Sequence, residues 1–261
     1  MKTIALVDLP NVLIRYVSVM ADKVEEDAIF RSVGNLINHF ESFTKADKVV
    51  LCFDGKGPSW RKAILPTYKA NRTFDTSSWQ DRFIVELKFN PVRRFDIVLR
   101  FDGYEADDVI ASIATSIPTT HSAFARAVIL SSDSDLLCLM TDRVSVYRFG
   151  KKTKDDVFMP VTVDDVQAKY GVDPGQLNAW KAIVGETGDN IAGVPKYGPV
   201  KTTKLLKEYG SLAAICQAAR NGNVPGWTSE VIDWVQTARR LVAPSADVPF
   251  ELWRHVVEVS S

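Results

Sequence analysis

Nine carboxylates recur in short clusters along the chain: Asp8 in "IALVDLPNVL", Asp54 in "VVLCFDGKG", Glu105, Asp107 and Asp108 in "GYEADDVIAS", Asp133 and Asp135 in "VILSSDSDLL", and Glu186 and Asp189 in "VGETGDNIAGV". Each cluster ends an apolar run or opens a helical one. Acids in the first turn of a helix are favoured by its dipole and need carry no chemistry. Chemistry requires that they converge. Asp133 and Asp135 lie two apart at a strand end, where side chains two apart point the same way. Glu186 and Asp189 lie three apart in a helical turn and share a face. For the third cluster two geometries stay open: a helix starting before residue 105 puts Glu105 and Asp108 on one face, whereas one starting after it lets Glu105 and Asp107 both point inward.

Carboxylates gathered in one place repel, and several take up protons unless cations balance them. Oxygen-only ligation selects Mg²⁺ or Mn²⁺ over zinc. The chemistry that fits is phosphodiester hydrolysis, in which two ions about 3.5–4 Å apart activate water and stabilise the leaving oxygen. Competing motifs fail. "DSDLLCLMTDRV" starts like a calcium loop but has Cys138 at the turn glycine and Val144 at the bidentate glutamate. "GVPKYGPV" lacks the Gly-Lys-Ser/Thr ending of a nucleotide-binding loop.

Bases are gathered elsewhere. Residues 56–72, "KGPSWRKAILPTYKANR", hold Lys56, Arg61, Lys62, Lys69 and Arg72 with Trp60 and Tyr68 interleaved and no acid. Residues 193–207, "GVPKYGPVKTTKLLK", hold Lys196, Lys201, Lys204 and Lys207, again without an acid. The formal net charge is zero, yet segregated charges build opposed surface fields, which suits a phosphate backbone held beside cations.

The elements that must position these groups follow from alternating patterns. "TIALVD", "VVLCFD", "DIVLRF", "AVILSS" and "VSVYRF" read as strands covered on both faces. Helical patterns lie between them at 25–45, 76–89, 105–116 and 134–140. The expectation is an α/β fold with a largely parallel sheet, whose ligands sit beyond the carboxyl ends of the strands. Asp8, Asp54 and Asp133 each fall at such an end. After about residue 160 helices dominate, in "VDDVQAKYG", "PGQLNAWKAIVG", "VKTTKLLKEYG", "SLAAICQAARNG" and "SEVIDWVQTARRLV". The expected division is an α/β core over 1–160 and a helical region over 161–261, packed together.

At 261 residues and 46% hydrophobic, the chain can bury a large core. The N-terminal apolar run is too short for a signal peptide and no stretch approaches a membrane span of about 18 apolar residues, so a cytoplasmic location is expected, with no membrane partner. Cys52, Cys138 and Cys216 are scattered in apolar contexts and read as reduced core residues. With His39, His121 and His255 equally scattered, no zinc set is evident.

"FDGKGPSWRKAILPTYKANR", "GYEADDVIA", "SSDSDLL" and "GETGDNIAGVPKYGPVKTTKLLKEYGS" together resemble the 5′-nuclease family: flap endonucleases and the 5′→3′ exonuclease domain of bacterial DNA polymerase I, in its bacterial and phage branch. The resemblance covers roughly residues 3–215, with the four motifs in order. The resemblance implies a PIN-like core with a helical arch near 70–102 and a helix–three-turn–helix region with a helix-hairpin-helix near 183–210. It implies a first metal cluster of Asp8, Asp54, Glu105, Asp107 and Asp108, and a second of Asp133, Asp135, Glu186 and Asp189, holding two or more Mg²⁺ or Mn²⁺ ions. Lys69 and Arg72 match the basic pair at the arch base that touches the scissile phosphate. Arg61, Lys62, Tyr68, Gly193, Lys196, Gly198, Lys201, Thr202 and Lys204 fall on DNA-contacting segments, the hairpin glycines admitting backbone N–H groups to a phosphate. The hairpin of relatives also holds K⁺.

The implied activity is metal-dependent hydrolysis of DNA at 5′ flaps and 5′ ends in replication or repair. The expected partner is branched or 5′-flapped duplex DNA, with an RNA/DNA hybrid as a further substrate. A monomer is expected; with no polymerase region after residue 261, the nuclease is expected to be free-standing or to work with a separate polymerase. Two departures from the family pattern stand out: "DLPN" in place of Asp-Gly after the first strand, and Glu186 in place of aspartate. The alternatives are a PIN-type ribonuclease and a non-catalytic binder of branched DNA.

Overall fold

Short runs rich in valine, isoleucine and leucine become five parallel strands: β1 (Thr3–Asp8), β2 (Lys48–Phe53), β3 (Ile97–Arg100), β4 (Arg126–Leu130) and β5 (Val144–Phe149). The computed structural model describes residues 2–20, 22–72, 77–89, 97–117, 123–150 and 157–249. From their second residue on, β1 and β2 are buried throughout, which is why they read as continuous apolar runs. A sixth strand, β6 (Phe158–Pro160), pairs antiparallel with β5. It was not expected, because three residues ending in proline are too few to carry a strand pattern.

The strand order is β3-β2-β1-β4-β5-β6. The chain winds outward from β1 to β3, then returns to the other side of β1 as β4. This reversal opens a crevice at the carboxyl ends of β1 and β4, the usual ligand position in such sheets.

The helices are α1 (Leu9–Met20), α2 (Glu26–Thr44), α3 (Trp60–Ile64), α4 (Ser77–Phe89), α5 (Ala106–Ser116), α6 (Val163–Tyr170), α7 (Leu177–Val184), α8 (Pro199–Tyr209), α9 (Leu212–Arg220) and α10 (Ser229–Val242). Helix α1 was unanticipated. It starts directly after Asp8, and Pro10 sits in its first turn, where no N–H is needed. The helix expected over 134–140 is a 3-10 turn, Asp135–Leu139.

Helix α5 covers one face of the sheet with Val109, Ile110 and Ile113, against Leu6, Cys52 and Ile129. The other face, with Val7, Leu51 and Phe53, is covered by Val12, Leu13, Phe30 and Ile37 of α1 and α2. A third core forms among α7, α8, α9 and α10. Tyr68, from the segment after α3, enters that third core, and Val248, from beyond α10, enters the α5 core. The two halves therefore exchange side chains.

Of the arch expected near 70–102, helix α4 is set by Phe83 against Phe30, ring centroids 5.3 Å apart. Residues 73–76 and 90–96, including most of "FNPVRRF", lie outside the described residues, as do residues 250–261 of the helical region. Among the described residues no helix is long and apolar enough to cross a membrane, and the three cysteines are free thiols.

Candidate active site

Asp8 closes β1 and caps α1, accepting the Asn11 N–H at 3.3 Å and the Ser131 hydroxyl at 2.6 Å. Burial pushes its carboxyl up to about 7; the Ser131 hydrogen bond opposes this, and Asp133 and Asp54 add to it. Ser131 follows β4, so this bond spans the sheet reversal. Asp54, one residue past β2, accepts the Ala106 N–H at 2.9 Å and the Gln80 side-chain amide at 3.2 Å. Burial raises its carboxyl as well, with Glu105 adding to the shift.

Between the two geometries left open by the sequence, the structure chooses the later helix start. Glu105 is the N-cap of α5, and Asp108 at the third helical position accepts the Glu105 N–H at 3.1 Å, completing a capping box. Asp107 points into the site: its Oδ1 is buried without a hydrogen-bond partner, and burial raises its carboxyl well above the ordinary range.

Asp108 departs from the expected ligand role. It is fully buried, and its two oxygens accept five N–H groups: Arg61 Nη1 at 2.9 Å and Nη2 at 2.8 Å, Trp60 Nε1 at 3.1 Å, Ser245 N at 2.7 Å and Glu105 N at 3.1 Å. A carboxylate has about four lone-pair positions, so none is left for a cation. Arg61 departs too. It is 1% exposed, and its donors are spent on Glu105, Asp108 and the Leu241 and Ala243 carbonyls. Burial opposes its charge, but Asp107, Asp108 and Glu105 outweigh that and hold it protonated.

Tyr68, also expected at DNA, is buried, and its hydroxyl lies 3.1 Å from Glu105 Oε2 and 3.2 Å from Asp189 Oδ2. It bridges the two acid clusters. Lys69 places its ammonium 2.9 Å from Glu105 Oε1, and its N–H donates to the Asp189 carbonyl at 3.0 Å. Arg72, half exposed, pairs with Asp189. Asn71 donates to the Thr187 carbonyl at 2.8 Å and Asn190 to the Thr67 carbonyl at 3.0 Å, stitching "TYKANR" to "GETGDN".

Asp133 and Asp135 lie beyond the end of β4, not within the strand; Asp133 Oδ1 accepts the Asp135 N–H at 3.0 Å, bending the chain into the 3-10 turn. Burial and then Asp133 push the Asp135 carboxyl up to about 6. Glu186 precedes a second 3-10 turn, Thr187–Asp189. Between them stands Lys181 of α7, which sequence reasoning missed. Its ammonium pairs with Asp135, lies 3.1 Å from Glu186 Oε2 and donates to Ser134 Oγ at 2.9 Å. Burial works against this charge, but Asp135 and Glu186 raise it above the ordinary lysine value. The one available signal was a lone lysine on the apolar face of "LNAWKAIV".

Away from the acids, Lys196, Lys201 and Lys204 are exposed on the α7–α8 connection and α8, Gly198 caps α8 with open space around it, and Lys62 is exposed on α3. Among these hairpin residues, one expected DNA contact turns inward. Thr202 is buried, its hydroxyl donating to the Tyr197 carbonyl at 3.0 Å. A Cβ on Gly193 would collide with the Val184 carbonyl, so internal packing already requires that glycine.

The nine acids thus gather at one edge of the sheet, faced by four cations: Arg61, Lys69, Arg72 and Lys181. Among the described residues no three acids close around one point as they stand, because these cations lie between them. An excess of negative charge remains, much of it desolvated, and the unpartnered Asp107 Oδ1 marks where it is least compensated. An all-oxygen donor set of this kind fits a hard divalent cation.

Residues 3–171 match the family described as 5′-3′ exonuclease, N-terminal resolvase-like domain, and residues 172–260 match 5′-3′ exonuclease, C-terminal SAM fold. The flap endonuclease Xni of Aeromonas hydrophila subsp. hydrophila is 32% identical over 254 residues, covering 94% of this chain and 91% of its own. DNA polymerase I of Caldicellulosiruptor bescii is 35% identical over 200 residues, covering 76% of this chain but only 23% of the polymerase. Among solved structures, a bacteriophage T5 flap endonuclease in a pseudo-enzyme-product complex with DNA and metal ions superposes with a TM-score of 0.73 at 23% identity, over 99% of both chains. That likeness establishes the fold.

Proposed function

Since this chain belongs to the 5′-3′ exonuclease family, we propose that it hydrolyses DNA phosphodiesters at 5′ ends and 5′ flaps. The observation that carries this reading is the buried acid cluster at the carboxyl edge of the sheet, with Lys69 and Arg72 joined to its rim. Asp8, Asp54, Glu105 and Asp107 are assigned to one divalent ion, and Asp133, Asp135, Glu186 and Asp189 to the other. Mg²⁺ or Mn²⁺ held there supplies an activated water and stabilises the leaving oxygen.

The chain's own residues do the rest. The Ser131 hydroxyl, the Gln80 amide and the Ala106 N–H orient Asp8 and Asp54. Lys69 and Arg72 offer donors to a phosphoryl oxygen, and their worth rises as negative charge develops on it. Lys196, Lys201 and Lys204 neutralise duplex phosphates away from the reacting bond, which positions the substrate without reading its sequence.

Incubating the protein with a 5′-flapped DNA duplex and with a single-stranded RNA of equal length, in Mg²⁺, in Mn²⁺ and in EDTA, tests the reading. Metal-dependent cleavage of the flap with the RNA spared is expected. Preferential degradation of the RNA would support a PIN-type ribonuclease instead, and binding without cleavage in either metal would support a structural DNA binder.

A further inference from the structure

The end of α10 and the segment after it return across the molecule to α5, the helix that Glu105 caps and that carries Asp107. Arg61 Nε donates to the Leu241 carbonyl at 2.9 Å and Nη2 to the Ala243 carbonyl at 3.1 Å. Ser245 N donates to Asp108 Oδ1 at 2.7 Å, Val248 N to Ser112 Oγ at 3.2 Å, and Ser112 Oγ to the Ser245 carbonyl at 3.4 Å. The Tyr104 hydroxyl meets the Asp247 carbonyl at 3.4 Å, and Val248 is buried in the α5 core. Residues 241–248 therefore form a strap fastened along α5.

Three of these fastenings, Arg61 to the Leu241 and Ala243 carbonyls and Ser245 N to Asp108, pass through one ion pair, the fork of Arg61 on Asp108. A guanidinium bound bidentately admits one orientation of the carboxylate. Asp108 is in turn locked to the Glu105 N–H by the capping box, so its orientation sets the rotation of the first turn of α5. Glu105 and Asp107 project from that turn. Arg61 also contacts them directly, Nη1 lying 3.0 Å from Glu105 Oε2 and Nη2 3.6 Å from Asp107 Oδ2.

From this we infer that Arg61, Asp108 and the 241–248 strap are positioning elements that aim Glu105 and Asp107 at the metal, and that Arg61 is not a DNA contact and Asp108 not a ligand. The inference rests on the metal assignment proposed above. Groups that orient ligands typically govern metal affinity by about 10–100-fold, which makes binding of the metal alone the informative quantity.

The test is titration of the full chain with Mn²⁺ by calorimetry, without DNA, together with the slope of flap affinity against salt in Ca²⁺. Arg61→Met is expected to weaken Mn²⁺ binding about tenfold or more and to leave the salt slope unchanged. Arg61→Lys is expected not to rescue it, since an ammonium cannot form the fork. Ser245→Pro removes the N–H given to Asp108 and is expected to weaken Mn²⁺ binding as well, whereas Ser245→Ala keeps that N–H and is expected to match the parent. The Ser245 pair decides the matter even if Arg61→Met fails to fold. A reduced salt slope with intact Mn²⁺ affinity in Arg61→Met would overturn the inference, as would equal Mn²⁺ affinity in the two Ser245 variants. A parent protein that binds no Mn²⁺ at all would overturn the metal assignment itself.

Discussion

Lys69 holds its ammonium 2.9 Å from Glu105 Oε1 from a backbone with φ of 56°, a left-handed conformation that non-glycine residues seldom adopt. Its N–H is spent on the Asp189 carbonyl. The residue is thereby fastened to both acid clusters, a poor arrangement for a mere solvated charge.

Replacing it tests whether this placement serves the reaction. Lys69→Ala is expected to lower single-turnover cleavage of a 5′-flapped DNA by about two orders of magnitude, the scale of losing one well-placed donor, while flap affinity changes far less. Equal, modest losses in rate and affinity would show that Lys69 only helps to hold DNA.

Lys181 acts as a resident cation between Asp135 and Glu186. Removing one partner of a buried ion network leaves uncompensated charge and costs about 3–5 kcal/mol. Lys181→Met should therefore melt at a lower temperature than the parent in EDTA, and gain more from added Mn²⁺ because no ammonium competes for those oxygens. Scanning calorimetry with and without Mn²⁺ reads both. A variant with parental melting in EDTA would contradict this role.

The strands that place Asp8 and Asp54 were legible because both faces of the sheet are covered, so that burial alone writes an unbroken apolar run. The family resemblance named the acids. What composition and spacing hid is the direction in which a charge points. Arg61 sits in a basic, aromatic-rich stretch that reads as a solvated face, and only the return of residues 241–248 makes its surroundings a buried anionic pocket. Lys181 is a single charge on a short helix, visible as a partner only once α7 is set beside Asp135. Gly193 shows the same limit: a glycine suited to phosphate approach is required here by the Val184 carbonyl.

The buried acids couple stability to pH. Asp8 moves from 3.8 to about 7 in the folded chain through burial. A carboxyl whose folded value lies above its unfolded one keeps its proton over that interval only in the folded state, so stability is full below it and falls as pH rises toward 7. In EDTA the melting temperature should drop between pH 5 and pH 7.5. Asp8→Asn should flatten that drop, and Mn²⁺ should oppose it by compensating the ionised form. Melting that rises with pH over this range in EDTA would contradict the assignment.

On the face proposed to meet the duplex, Lys201 and Lys204 of α8 are exposed, Lys201 lying 3.8 Å from the Tyr197 ring centroid. Replacing both with alanine should weaken binding of every duplex sequence alike. It should also reduce the slope of log affinity against log salt by roughly 0.9 per lost phosphate contact. An unchanged slope would turn this face away from DNA.

The central claim is that desolvated carboxylates at the carboxyl edge of the sheet hold the metal that cuts DNA, and Asp107, with its buried unpartnered Oδ1, is its sharpest point. The most direct measurement is single-turnover cleavage of a 5′-flapped duplex by Asp107→Asn in saturating Mn²⁺, beside flap affinity in Ca²⁺. Cleavage reduced by about two orders of magnitude or more, the scale of losing one well-placed charge-stabilising group, with binding retained, is the predicted result. Cleavage at the parental rate would contradict the account.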